Sequence, residues 1–392
     1  MDKEKELVVN IINRNYPPNP GITGESAAEL AAFLSLNGCK VRIFHIDAPY
    51  AGSSRKSDAF GESIKIKTFY NGKSSVLRLM ANLYEGFALL KRSVSYAADF
   101  TICMTDPPLL PMWIPVLMAK KKPWALWSMD LYPGAFVSSG LVRKTNVLFR
   151  LTEWLTHQRL PSFIIALGPC QAAFLKKKYK DNLETIELPC GIFSASEFSE
   201  EDSIPGWKID NQKIYLGYCG NIGQAHSLPF LYKIIDNLDT QKFILILSLY
   251  GSYAKVMTDY ARGKEGVVFA SSLSRGDLKH IDIHLSSLKK EWVNVCVPSK
   301  TVSSVSAGSA FLHYGIEESD NWKMLQNAGW LIDSSKDLST QVSEFLKAIT
   351  PETLDSKKKA AVTVGDELNE LKAVSFQKIL TNIRLHSANL LN

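Results

Sequence analysis

Residues 7–46 read LVVNIINRNYPPNPGITGESAAELAAFLSLNGCKVRIFHI. Leu7 to Asn13 is rich in β-branched residues and is followed by turn chemistry, the pattern of a buried strand. Prolines and glycines then crowd RNYPPNPGITG into a loop. From Glu25 to Asn37, Ala28, Leu30, Ala31, Leu34 and Leu36 supply the apolar face of a helix. Gly38 stands where a helix C-cap glycine belongs, and Val41 to Ile46 resumes as a strand. Strand, glycine loop, helix and strand make one βαβ unit, which predicts a parallel sheet.

The alternation runs on. Helices are expected at Ser74 to Ser95 and Arg143 to Arg159, and strands at Phe100 to Met104, Pro123 to Met129, Phe163 to Leu167 and Glu184 to Leu188. A polar stretch from Ser194 to Gln212 reads as a linker. The rhythm restarts with strand Ile214 to Cys219, a glycine loop, helix Leu228 to Leu238 and strand Phe243 to Leu249. Val267 to Ala270, Ile281 to Leu285 and Ala310 to Tyr314 continue it. The expected architecture is α/β, with two doubly wound units facing a central cleft and ligands beyond the carboxyl ends of the strands.

A chain of 392 residues suits two domains. Its 46% apolar and 21% charged residues are those of an ordinary folded protein. The opening MDKEKELVVNII carries no signal-peptide pattern, so a cytoplasmic location is expected. The apolar region Pro107 to Ala119 holds four prolines and ends in lysines, which argues against a membrane span. The six scattered cysteines form no CxxC pair and read as buried reduced thiols. A net charge of +6 without a basic stripe excludes nucleic acid as the expected partner, and suits an acidic ligand or an anionic membrane surface.

Four segments have the residue types for chemistry. In Gly217-Tyr218-Cys219-Gly220-Asn221-Ile222-Gly223, glycines and a following helix N-terminus suit a pyrophosphate, although a tight turn alone would also use glycine. The spacing is not G-x-G-x-x-G, so a dinucleotide cofactor is not supported. In Val297-Pro298-Ser299-Lys300, Ser299 is expected to cap a helix whose first lysine neutralises a leaving diphosphate. The alternative is a solvated lysine at a mildly unfavourable place. The Pro17 to Gly24 loop, with Gly21, Thr23, Gly24 and Glu25, would lie at the cleft. Asp130, after the strand containing Trp127, suits an acceptor hydroxyl or the cap of a turn. His226 reads as a structural histidine.

In order along the chain, YPPNPGITGESAAELAAFLSLNGCKVRIF, TDPPLLPMWIPVLMAKKKPWALWSMDLYP, LGYCGNIGQAHSL and HLSSLKKEWVNVCVPSKTVSSVSAG resemble the bacterial retaining GT-B glycosyltransferases of the family 4-like group. These enzymes build surface polysaccharides and lipid-linked sugars. The resemblance implies a nucleotide-binding domain over 193–365, an acceptor-side domain over 1–192 and a last helix, 366–392, returning to the first domain. It also implies hexosyl or N-acetylhexosaminyl transfer from a nucleoside-diphosphate sugar, a UDP-sugar favoured, to a glycan or polyprenyl-linked acceptor, with retention and without metal or other cofactor. On the matching positions, Gly220, Asn221, Gly223, Ser299, Lys300, Ser303 and Glu317 would serve the donor. Gly21, Thr23, Gly24 and Glu25 would line the cleft, and Asp130 and Lys300 would act in catalysis. The family's glutamate is replaced by Ser303, and Gln224 stands near the place of its arginine.

Arg143 to Phe163 mixes arginine and lysine with Leu, Phe and Trp154, which suits a helix at a bilayer surface and equally one packed on its own sheet. The rival functions are an inactive nucleotide-sugar-binding subunit and a nucleotide-sugar epimerase.

Overall fold

The computed structural model describes residues 6–18, 21–48, 58–69, 75–194, 197, 204–271 and 273–388. Positions 19–20 of the expected cleft loop, Ser74 of the expected helix, and 195–196 and 198–203 of the expected linker lie outside the described residues. The chain divides into two compact units, Met1–Cys190 with Ala373–Asn392, and Gly191–Lys372.

The first unit has the strands β1 (Leu7–Ile12), β2 (Cys39–Ile46), β3 (Glu62–Ile66), β4 (Phe100–Met104), β5 (Trp124–Trp127), β6 (Phe163–Ala166) and β7 (Thr185–Glu187). They form one sheet in the order β3-β2-β1-β4-β5-β6-β7. Every pair is parallel, so successive strands are joined by crossover connections rather than hairpins. Both sheet faces are covered, so the central strands are apolar throughout rather than alternating. Ile11, Ile43, Ile102 and Ile164 are fully buried, each contributing about 1.5–3 kcal/mol. The exception inside β1 is Asn10, whose side-chain amide donates to Ser93 Oγ at 3.1 Å and so joins the strand to the helix Ser75–Val94.

The second unit has β8 (Ile214–Asn221), β9 (Phe243–Tyr250), β10 (Val267–Phe269), β11 (Ile283–Ser287), β12 (Ala310–Gly315) and β13 (Gly329–Asp333). Their order is β10-β9-β8-β11-β12-β13, again all parallel. Leu216, Leu245, Leu285 and Leu312 fill the core with Phe230 and Ile234 of the helix Leu228–Asp236. In this order the crossovers reverse direction at β8 and β11, where open parallel sheets bind their ligands.

The final helix runs over Pro351–Ala388, starting well before the expected 366, and positions 389–392 of that expectation lie outside the described residues. Ala361, Val364 and Leu368 join the second unit's core. Beyond Lys372 the chain belongs to the first unit, where Phe376 packs on Phe33 and Asn382 donates to Glu184.

Two boundaries differ from expectation. The first helix starts at Gly21 rather than Glu25 and ends at Leu36, so Gly21, Thr23 and Gly24 occupy its opening turn instead of a loop, and Glu25 follows them in the helix. Gly21 makes this start at φ +55, a region open to glycine. The helix Ser299–Ser306 is capped by Pro298, and Ser299 is its first helical residue. Proline supplies the extended geometry at the cap, so the serine hydroxyl is not needed there.

Candidate active site

In the second unit the glycine segment divides by role. Gly217 lies within β8, where a Cβ would stand 2.6 Å from Ile281 Cδ1, so core packing keeps it small. Gly220 has φ +113 and only Tyr250 near its Cβ position, at 4.0 Å, so the turn's backbone selects glycine there. Gly223 has ordinary room for a Cβ, 3.4 Å from Ser252 Oγ.

The turn after β8 is fastened on both sides. Ile222 N–H donates to the Tyr250 carbonyl at 2.8 Å and Tyr253 N–H to the Ile222 carbonyl at 3.0 Å. On the other side Ser227 N–H donates to Ser287 Oγ at 3.0 Å, and Lys289 N–H to the Ala225 carbonyl at 2.9 Å. Asn221 is exposed, and its side chain lies where a Cβ on Gly251 would be, 2.0 Å from Oδ1.

Lys300, in the first turn of Ser299–Ser306, reaches this segment. Its ammonium donates to the Asn221 carbonyl and the Tyr218 hydroxyl, both at 2.8 Å, and stands 4.0 Å from the centre of the Tyr218 ring. An ammonium has three donors, so one N–H remains for a ligand. Burial lowers its pKa to about 7, against a smaller opposing effect of Cys219 and Cys296. The helix start is itself held: Thr301 Oγ1 and the Asn321 amide both donate to the Pro298 carbonyl, at 3.0 and 2.8 Å. The N–H groups of that first turn and the lysine charge are together the chemistry that can receive an anion.

Ser299 and Ser303 lie on the side of this helix that meets Gly191. A Cβ on Gly191 would come within 2.5 Å of Ser303 Oγ and 3.0 Å of the Ser299 carbonyl. Glu317 is exposed in the segment after β12.

In the first unit, residues after β1, β4 and β5 gather polar groups at the carboxyl edge. Thr23 Oγ1 donates to Asp106 Oδ2 at 3.2 Å, and the Asn15 amide donates to the same oxygen at 2.5 Å. Burial raises the Asp106 pKa, opposed by Arg14 and by these two hydrogen bonds. Arg14 Nε pairs at 2.8 Å with Glu85, whose side chain is fully buried, and Thr68 also donates to Glu85. Sequence reasoning passed over Arg14, Glu85 and Asp106. The pair is separated by 71 residues and leaves no local spacing pattern.

Asp130 is exposed just beyond β5. Its segment is rigidly held: the buried Gln171 donates to the Met129 carbonyl at 2.9 Å and accepts from Ser128 Oγ at 2.7 Å. Thr105 Oγ1 accepts from Met129 N–H at 2.7 Å. A carboxylate on such a support keeps a fixed position for a hydroxyl group. Gly24 is buried, and Glu25 is half-buried in the same helix as Thr23.

The helix Val147–His157 turns its apolar side outward. Phe149 and Thr156 are buried, whereas Val147, Leu148, Leu151 and Trp154 are 77%, 72%, 49% and 56% exposed. Packing on its own sheet therefore does not account for those four side chains. Leu77, Met80 and Tyr84 of Ser75–Val94 are also exposed, and both helices pack on Leu110–Trp113. Among the described residues no helix is long and apolar enough to cross a membrane, and no group of His, Cys, Asp and Glu is arranged to hold a metal ion.

No protein-family model matches the chain. Over 258 residues it is 24% identical to a probable glycosyltransferase, WbjE, of Pseudomonas aeruginosa, an alignment covering 60% of this chain and 62% of that relative's length. Among solved structures it is similar to WaaG, a glycosyltransferase involved in lipopolysaccharide biosynthesis, with a TM-score of 0.66, 16% identity and coverage of 95% of this chain and 99% of that one. It is also similar to sucrose-phosphate synthase from Thermosynechococcus elongatus, with a TM-score of 0.70, 11% identity and coverage of 98% and 100%. A third is an E. coli trehalose-6-phosphate structure bound with UDP-2-fluoro glucose, with a TM-score of 0.66, 8% identity and coverage of 96% and 98%. With two all-parallel Rossmann-like units and these likenesses over nearly the whole chain, the fold is that of the GT-B glycosyltransferases.

Proposed function

We propose that the protein is a glycosyltransferase that moves a hexosyl or N-acetylhexosaminyl group from a UDP-sugar to a glycan or lipid-linked acceptor, with retention of configuration. One observation carries this reading: the Lys300 ammonium, tied to the Asn221 carbonyl beside the glycine turn, with a donor left over for a diphosphate. The similarity to WbjE supports glycosyl transfer, and the UDP-sugar in one structural neighbour supports the choice of donor.

In the proposed reaction the diphosphate lies against the Gly220–Gly223 turn, Lys300 and the first amides of Ser299–Ser306. Ser303 and Glu317 belong to the same donor side. The acceptor hydroxyl attacks the anomeric carbon on the face from which UDP departs, and Asp130 of the first unit serves the acceptor. The new glycosidic C–O bond forms as the bond to the diphosphate breaks, and the hydroxyl proton passes to the leaving diphosphate. Lys300 and the amides stabilise the growing negative charge. The residues named are enough for this without a cofactor.

The exposed Val147, Leu148, Leu151 and Trp154, with Arg143, Lys144 and Arg150 beside them, support peripheral contact with an anionic lipid surface, where a lipid-linked acceptor resides. Product analysis tests the reaction. Incubation with a panel of UDP-sugars and a polyprenyl diphosphate-linked sugar should give UDP and a product with the donor's anomeric configuration by NMR. An inverted product would remove retention, and isomerised donor without transfer would point to an epimerase.

A further inference from the structure

The imidazole of His226 presents an unused donor inside the turn that follows β8. Gly223 N–H donates to His226 Nδ1 at 3.0 Å. A backbone N–H can only donate, so Nδ1 holds a lone pair and a neutral ring carries its proton on Nε2. The return bond, from His226 N–H to the Gly223 carbonyl at 2.9 Å, fixes the ring in the turn. The residue is 7% exposed, Nε2 is part of what reaches solvent, and it has no hydrogen-bond partner among the described residues. A ring N–H that the fold leaves open and without a protein acceptor is available to a ligand.

The surroundings identify which ligand. The His226 ring meets the Tyr218 ring edge-on, with centroids 6.3 Å apart, and the Lys300 ammonium rests on that same tyrosine. We infer that His226 contacts the donor directly, its Nε2–H donating to an anionic oxygen of the nucleoside diphosphate held by Lys300. This rests on the donor site proposed above and extends it to a residue outside the glycine and lysine elements.

A neutral donor suits the position. Burial and the nearby Lys300 charge both keep the ring from protonating, well below its ordinary range. An imidazolium would repel Lys300 before the ligand arrived, whereas a neutral N–H adds a donor without that cost.

Two substitutions separate the two ring nitrogens. In His226→Asn, the amide oxygen lies near the position of Nδ1 and still accepts from Gly223 N–H, but no donor reaches as far as Nε2. In His226→Gln, the longer amide returns a donor to that reach. Calorimetric titration with UDP and with uridine, alongside a thermal melt, reads the difference. His226→Asn should bind UDP roughly tenfold more weakly, the loss of one hydrogen bond to a charged group. Uridine affinity and melting temperature should stay near wild type, and His226→Gln should recover most of the loss for UDP.

Equal weakening of UDP and uridine, or unchanged UDP affinity in His226→Asn, would overturn the assignment and leave the histidine a structural part of the turn. If wild-type protein bound none of UDP, GDP, ADP, dTDP or CDP, the donor site itself would be wrong and this contact with it.

Discussion

The ammonium of Lys300 lies 2.8 Å from the carbonyl oxygen of Asn221, joining the start of one helix to the end of a strand 79 residues earlier. Both groups belong to the second unit, at the edge where the crossovers on β8 and β11 diverge. The contact turns two weak sequence signals, a glycine turn and a Pro-Ser-Lys helix start, into one electrostatic site.

A proton should therefore accompany ligand binding. With its pKa near 7, Lys300 is largely neutral at pH 8 in the free protein. A bound diphosphate favours the cation, so the pKa rises in the complex and a proton is taken up. UDP affinity should fall as pH rises above about 7, by up to about tenfold per unit. Calorimetry at pH 8 in buffers of different ionisation enthalpy should show uptake approaching one proton, and little at pH 6. Lys300→Arg keeps a permanent charge and should abolish the uptake.

The turn should be intolerant of a side chain at Gly251. This glycine sits at φ +106, with a Cβ position 2.0 Å from Asn221 Oδ1 and 2.8 Å from the Ile222 carbonyl. Gly251→Ala must strain its own backbone and displace the turn, costing about 1–3 kcal/mol in stability. UDP affinity should fall with it, measured by urea denaturation and calorimetry on the same preparation. Gly223→Ala, which meets nothing closer than Ser252 Oγ at 3.4 Å, should leave stability within about 0.5 kcal/mol of wild type.

Asp130 should matter for transfer and not for the donor nucleotide. Asp130→Asn removes a carboxylate on a segment fixed by Gln171 and Thr105. Turnover should drop by about 10²-fold, the scale of lost positioning, while UDP affinity by calorimetry stays unchanged. A parallel loss of UDP binding would move Asp130 out of the acceptor role.

Exposed apolar side chains can be changed without touching the core. Leu148→Glu with Trp154→Glu replaces two outward residues of Val147–His157. The variant should melt near the wild-type temperature yet fail to float with vesicles of phosphatidylglycerol and phosphatidylethanolamine. Wild-type protein should float with them, less so at high salt. Flotation unaffected by the two glutamates would place any lipid contact elsewhere.

The alternation of strands and helices was legible because the central strands are buried on both faces and read as continuous apolar runs. Phe163 to Ala166 and Phe243 to Leu247 are such runs. The edge strand β3, ESIKI, carries a weak signal because it is short and mixes Glu62, Ser63 and Lys65 with only two apolar residues. The helix starting at Gly21 was read as loop because its opening turn, GITG, is rich in glycine. Gly220 has the positive φ of a tight turn, the alternative open for its segment, whereas Gly217 owes its identity to Ile281, a contact invisible in the sequence. The same holds for Arg14 with Glu85, and for the outward face of Val147–His157. Periodicity marks a helix as amphipathic without saying which side meets the protein.

The central claim is tested most directly by titrating UDP into wild-type protein and into Lys300→Ala at pH 7. Wild type should bind saturably, and the variant should bind about 10²-fold more weakly, since a charge-assisted contact to the diphosphate is lost while the fold remains. Equal affinity in the two proteins, or no binding of UDP by wild type, would contradict the account.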